Sequence, residues 1–155
     1  QKLPPDAPKA WLSFSCRDDR HLCDGTTLES VLALLTALDA ETGTAGRRVV
    51  GVGVNCTPPE HLPGLMAALQ THAQATGRIV VAYPNSGEKW VDRQWTPGTG
   101  CNTPLDFASH AKRWVQVATN GVAGGGGCAV GGCCRTSPAT IKAVREALLG
   151  GAEDG

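Results

Sequence analysis

The sequence predicts an α/β fold of four consecutive βα units, and three observations carry that expectation. Short apolar runs alternate with longer stretches whose apolar residues recur at three- and four-residue spacing. Proline and glycine punctuate the junctions, with Thr57-Pro58, Thr103-Pro104 and Ser137-Pro138 reading as helix starts. The reactive side chains follow the predicted strands rather than preceding them.

The first strand is expected over Ala10 to Cys16, between a proline-rich entry and the charged Arg17-Asp18-Asp19-Arg20. A helix should follow from Thr27 to Glu41, burying Leu28, Val31, Leu32, Leu35 and Leu38 as one stripe and stopping at Gly43 to Gly46. The second strand is Val49 to Val54. After it, Thr57 and Glu60 are placed to form a capping box around Pro58 at the first helical position. Leu62, Leu65, Met66 and Leu69 make that helix's apolar face, with Pro63 tolerated near the first turn and Gly77 as the stop.

Arg78 to Tyr83 is short and almost wholly apolar, as a strand buried on both faces should be. A long polar loop is expected from Pro84 to Asn102. The third helix turns Phe107, Ala111, Trp114, Val115 and Ala118 inward and stops at Gly121. The fourth strand lies within Gly126 to Gly132. The last helix presents Ile141, Val144 and Leu148 on one face and ends at Gly150. Strands in series with helical crossovers are parallel and right-handed. Two architectures accommodate them: an open sheet with helices on both faces, or half of an eight-fold barrel, which as a whole takes about 250 residues. An open sheet that binds a nucleotide would carry a glycine-rich loop after its first strand, and Cys16-Arg17-Asp18-Asp19-Arg20-His21 is not one.

With 155 residues the chain is long enough for one domain. Its 14 basic and 14 acidic side chains cancel, and no basic run exceeds two residues, so neither nucleic acid nor an anionic membrane is expected as a partner. No apolar run approaches a membrane span. No apolar stretch follows Gln1-Lys2-Leu3-Pro4-Pro5, so no secretory signal is expected there, and the missing initiator Met sets the expectation of an internal cut in a longer protein. Seven cysteines form an odd set with Cys133 and Cys134 adjacent, a pair that cannot bridge without strain. A reduced, cytoplasmic chain that uses some of them as thiolate ligands is therefore expected.

Cys16, His21, Cys23 and Asp24 follow the first strand, Asn55 and Cys56 the second, Asn85, Ser86 and Glu88 the third, and Cys133, Cys134 and Arg135 the fourth. In a βα barrel those ends form one face, the one that carries active sites. Cys56, Cys133 and Cys134 are candidate ligands for a metal that prefers thiolates, and three protein ligands leave a fourth position open. The competing reading is that each is a small buried apolar residue at a strand end. That plainer reading is taken for Cys16, Cys23, Cys101 and Cys128. His21, His61, His72 and His110 are read as surface or helix residues, Arg17, Asp18 and Asp19 as a solvated loop, and Asp24-Gly25 as a turn.

Gly53-Val54-Asn55-Cys56, Tyr83-Pro84-Asn85-Ser86-Gly87-Glu88 and Gly131-Gly132-Cys133-Cys134-Arg135-Thr136 occur in this order and together resemble the homocysteine S-methyltransferase family. They resemble in particular the branch that uses S-methylmethionine or S-adenosylmethionine. Ser13-Phe14-Ser15-Cys16-Arg17 followed by Asp24-Gly25-Thr26 is similar to that branch's fifth-strand region, and the resemblance runs from Trp11 to Leu149. It implies the C-terminal half of a (β/α)8 TIM-type barrel. Residues 1–150 would form that half of the homocysteine-binding domain and 151–155 a frayed tail. It implies Zn2+ held by Cys56, Cys133 and Cys134, with no catalytic residue beyond the metal site. Asn55, Asn85 and Ser86 are then candidate contacts for the amino-acid parts of the substrates. The implied activity is methyl transfer from the sulfonium donor to homocysteine, giving methionine and completed by the missing N-terminal half-barrel. Family members run to about twice this length, and the acidic residue that helps hold the homocysteine amino group lies in the segment absent here. Gly124 to Gly127 resembles a short insertion before the last strand. Two alternatives stand beside this: a zinc-binding half-barrel that associates with another chain without catalysis, and redox or metal-buffering chemistry of the vicinal thiols.

Overall fold

A computed structural model of the chain describes residues 8–43, 47–98, 101–120 and 127–150. Four parallel strands form the main sheet: β1 (Ala10–Phe14), β2 (Val49–Asn55), β3 (Ile79–Tyr83) and β6 (Cys128–Val130), in the order β1-β2-β3-β6. The helices are α1 (Leu28–Thr42), α2 (Leu62–Thr76), α3 (Pro104–Thr119) and α4 (Pro138–Leu149). The α/β expectation holds, and the parallel strands follow one another across the sheet in chain order.

In parallel register, Phe14 lies beside Val54, Val54 beside Ala82, and Ala82 beside Val130. This face, with Val52 and Val80, packs against a single cluster to which all four helices contribute: Leu28, Leu32 and Leu35 from α1, Leu62, Leu65, Met66 and Leu69 from α2, Phe107, Ala111 and Trp114 from α3, and Ala143 and Val144 from α4. Phe107 and Trp114 meet edge to face with ring centroids 5.4 Å apart, a geometry that adds about 1 kcal/mol to their burial. A doubly wound sheet would need helices on its other face too; among the described residues that face carries Trp11, Ser13, Gly51, Gly53 and Val81 instead. Gly53 is required there, because a Cβ would collide with the Val81 carbonyl.

The predicted caps at Thr103 and Ser137 form. Thr103 accepts from the Asp106 amide, and Ser137 closes a capping box with Thr140. Gly77 ends α2 in the left-handed region, φ 68°. The box at Thr57 does not form. A three-residue 3₁₀ turn (Pro59–His61) precedes α2, and the Thr57 hydroxyl instead accepts from the Cys16 amide at 2.9 Å and donates to the Asn55 carbonyl at 3.0 Å. Buried as it is, that hydroxyl would cost about 1–3 kcal/mol if left unpaired, and these two partners satisfy it.

Other expectations are also revised. β1 stops at Phe14. The loop after β3 contains an antiparallel hairpin, β4 (Lys89–Val91) with β5 (Gln94–Thr96), nucleated at Asp92 and Arg93 with φ 48° and 62°. Leu38, Ile141 and Leu148 are exposed, since α1 and α4 bury narrower stripes than their apolar spacing suggests. α1 packs against α2 among the described helices, and Leu38 is left about half exposed. Gly121, most of the glycine run at 124–127 and the tail at 151–155 lie outside the described residues. No described helix is long and apolar enough to cross a membrane.

Candidate metal centre

Cys56 and Cys133 are 77 residues apart in sequence, yet their Cα atoms are 5.5 Å apart. The strand order explains it. Only β3 separates β2 from β6, so their C-terminal ends are about 10 Å apart, and both following loops lean over the end of β3. The β3 loop holds them there. The Cys56 amide donates to the Tyr83 carbonyl at 3.1 Å, and the Asn85 side-chain amide donates to the Cys56 carbonyl at 3.1 Å. On the other side the Cys133 amide donates to the Pro84 carbonyl at 2.8 Å, and the Ser86 amide to the Cys134 carbonyl at 3.1 Å. The Cys133 carbonyl in turn accepts from the Thr136 hydroxyl at 2.7 Å.

The three sulfurs lie within 4.8 Å of one another, close enough to share one metal ion. The Cys56–Cys134 and Cys133–Cys134 sulfur separations are both 3.9 Å. Zn–S bonds of about 2.3 Å at tetrahedral angles would put neighbouring sulfurs about 3.8 Å apart, so these two separations fit that geometry. Cys56 and Cys133 are joined as a disulfide here. A disulfide offers no thiolates, so the ligand-competent form is the reduced one. Cys134 is exposed and the other two half-buried, which leaves access from solvent. Cys56 itself has φ 49° and Arg135 has φ 63°, so both cysteine turns use backbone that ordinary sequences avoid.

The other cysteines take no part. Burial pushes the thiols of Cys16, Cys101 and Cys128 up to about 11, so they stay protonated at neutral pH. Cys16 and Cys101 are buried as expected, whereas Cys23 is exposed, lying on the loop between Leu22 and the Gly25 turn. His21 is bonded through Nδ1 to Asp18 at 3.0 Å. His72 is buried, with Nε2 3.4 Å from Arg78.

The three candidate substrate contacts all lie at the same strand ends. Asn55 accepts from the Ser13 hydroxyl at 2.9 Å and donates to that of Ser15 at 3.1 Å. Asn85 also accepts from the Gly87 amide at 2.8 Å. Ser86 is buried and donates to Glu88 at 2.8 Å. Glu88 and Arg135, to which the sequence reading gave no role, form a bidentate pair at 2.9 and 3.1 Å. Hydrogen bonds from Arg135, then Ser86, hold the Glu88 carboxyl below its usual range. The signal was available: opposite charges stand beside the Asn-Ser-Gly and Cys-Cys motifs, but only the fold shows that they meet.

The profile of the homocysteine S-methyltransferase family matches residues 2–148. Homocysteine S-methyltransferase 1 of Zea mays is 36% identical over 143 residues, covering 91% of this chain and 38% of the relative. Selenocysteine Se-methyltransferase of Brassica oleracea var. italica is 32% identical over 141 residues, covering 90% and 35%. The homocysteine methyltransferase MmuM of Escherichia coli superposes in its metallated form with a TM-score of 0.58 at 32% identity, covering 88% of this chain and 35% of that one. Its apo form gives 0.59. The chain therefore spans less than two fifths of the length of the relatives it matches.

Proposed function

The chain belongs to the homocysteine S-methyltransferase family, and on that premise we propose that it is the zinc-binding, C-terminal half of a (β/α)8 barrel enzyme that methylates homocysteine. The proximity of three thiol sulfurs within 4.8 Å at the ends of β2 and β6 carries this reading. Zinc, when bound, supplies a Lewis acid that favours thiolate over thiol in an incoming sulfur substrate. Cys56, Cys133 and Cys134 would hold it, in the reduced state that a cytoplasmic location maintains.

The reaction needs little else from these residues. The homocysteine sulfur gives its electron pair to the methyl carbon of S-methylmethionine or S-adenosylmethionine. The bond from that carbon to the donor sulfonium breaks, and its electrons neutralise the leaving sulfur. A neutral thioether departs without a proton, so no general acid is required. The chain's contribution is positioning. Asn55 and Asn85 each donate one side-chain bond among the described residues, and with Ser86 they form a polar group at the strand ends suited to the amino-acid parts of the substrates. Residues 1–150 form this half in the proposal, and the remaining strands complete both pockets.

The test is zinc content of the purified, reduced chain beside Cys56→Ser and Cys133→Ser. About one zinc per chain, lost in both variants, is expected. Full retention by Cys56→Ser would remove the basis of the proposal. Methionine formation, assayed with each donor separately, should appear when the rest of the barrel is present. A second reading is favoured by one observation. β1 and β6 each have a partner on one side alone among the described strands, and Trp11 beside the β1 edge is 55% exposed. Such edges seek a partner, as a non-catalytic zinc-binding half-barrel associated with another chain would. Zinc binding without methyl transfer, at a dimer's mass in gel filtration, would favour it.

A further inference from the structure

Arg135 follows the two adjacent cysteines directly and has φ 63°, a left-handed conformation that a non-glycine side chain adopts where its surroundings impose it. Its guanidinium is gripped from two directions. Nε and Nη2 donate to the two oxygens of Glu88 at 2.9 and 3.1 Å, and Cζ lies 5.6 Å from the ring centroid of Trp95 on β5. Glu88 is itself held by the Ser86 hydroxyl at 2.8 Å, and the Ser86 amide donates to the Cys134 carbonyl at 3.1 Å. The contacts close a circuit: Cys134, Ser86, Glu88, Arg135 and back through the peptide bond to Cys134. An isolated surface ion pair has no such closure and contributes little. Here the pair is tied back to the turn that carries two of the three clustered sulfurs.

We propose that Arg135 is a positioning residue of the thiolate cluster: bound to Glu88 and stacked on Trp95, it holds the left-handed turn that aims Cys133 and Cys134 at Cys56. This rests on the reading of the three cysteines as metal ligands, and extends it to the groups that orient them. Lysine cannot substitute, because the grip needs a planar fork that bonds both carboxylate oxygens and stacks on a ring.

The test uses the whole reduced chain with Glu88→Gln, Arg135→Lys, the double variant, and Lys142→Ala as a surface-charge control. Cobalt(II) titration, read by its thiolate charge-transfer band, should show 10- to 100-fold weaker affinity in both singles at unchanged stoichiometry. The double variant should be no weaker than the worse single, and Lys142→Ala should match the parent. In parallel, crosslinking of Cys56 to the Cys133-Cys134 pair by dibromobimane reports sulfur proximity without metal, and should slow several-fold in the same variants. Slower crosslinking with no cobalt bound by the parent would sustain the positioning role and overturn the metal reading. Affinity and crosslinking both within twofold of the parent would overturn the positioning role itself. Melting temperatures of the variants should stay near the parent's, since Arg135 is 47% exposed.

Discussion

At the N-terminal ends of β2 and β3, the Arg78 side chain is 2% exposed and fully engaged: Nη1 and Nη2 bond Asp39 at 2.8 and 2.9 Å, and Nε donates to the Val49 carbonyl at 3.1 Å. Arg47 adds a second cation to Asp39 at 3.1 Å. At the C-terminal ends of the same strands Cys134 is exposed, Cys56 and Arg135 adopt left-handed backbone, and hydrogen bonds converge on the carbonyls and amides of the cysteines rather than on their sulfurs. One rim satisfies its charges internally and ties α1 to the sheet. The other holds the backbone of the cysteine turns and leaves the Cys134 thiol open to solvent. Stability and chemistry are thus separated along the strands, as βα architectures allow.

The largest expected effect that would break this separation is removal of a thiolate. Cys134→Ser should abolish measurable metal binding while leaving the urea midpoint of the metal-free chain nearly unchanged; a large loss of metal-free stability would mean that the C-terminal rim is structural as well. Next, Arg78→Ala should cost about 3 kcal/mol in urea denaturation, because it leaves the half-enclosed Asp39 with Arg47 alone. Its metal affinity, measured well below the unfolding transition, should match the parent's. Thr57→Val is a sharper probe, since its hydroxyl links Cys16 and Asn55 beside the cysteine cluster. About 1–2 kcal/mol should be lost, with a few-fold drop in metal affinity.

At the N-terminal rim pH should act through His72 and Asp39. Burial, then the charge of Arg78, depresses the His72 imidazole, so its contribution to stability is present above about 6.5 and is lost as pH falls toward the lower folded value. Burial pushes Asp39 up, but Arg78 and Arg47 outweigh it and leave the carboxyl depressed. Its contribution is present above about 3.9 and is lost as pH falls through its folded value. Urea midpoints should therefore decline from pH 7 to 5 and again below 4, and His72→Gln should flatten the first decline. Smallest of all, Lys142→Ala breaks a solvent-exposed pair with Glu146 and should change stability by less than about 0.5 kcal/mol.

Much of this was legible in the residues. Threonine or serine before proline located the starts of α3 and α4, because a hydroxyl accepting from the N3 amide and a ring that needs no N–H suit those positions without tertiary help. Gly77 marked the end of α2 for an equally local reason, its left-handed φ. Cys56, Cys133 and Cys134 stood out through the Asn-Cys and Gly-Gly-Cys-Cys motifs of the family resemblance, since position after a strand is shared by Cys16 and Cys23. The Thr57 box failed because a long-range partner, the Cys16 amide 41 residues away, competed for the same hydroxyl. The β4–β5 hairpin was missed because its strands are only three residues each, with left-handed turn residues, Asp92 and Arg93, that carry no glycine signal.

By itself, then, the sequence determined the α/β class and the order of its units, because periodicity, capping and residue chemistry act over a few residues. Only the tertiary structure decided that β3 lies between β2 and β6, that its loop clasps both cysteine turns, and that Glu88 meets Arg135 across 47 residues. Those are consequences of strand neighbourhood, which depends on how the whole sheet packs beneath its helices and has no local signature.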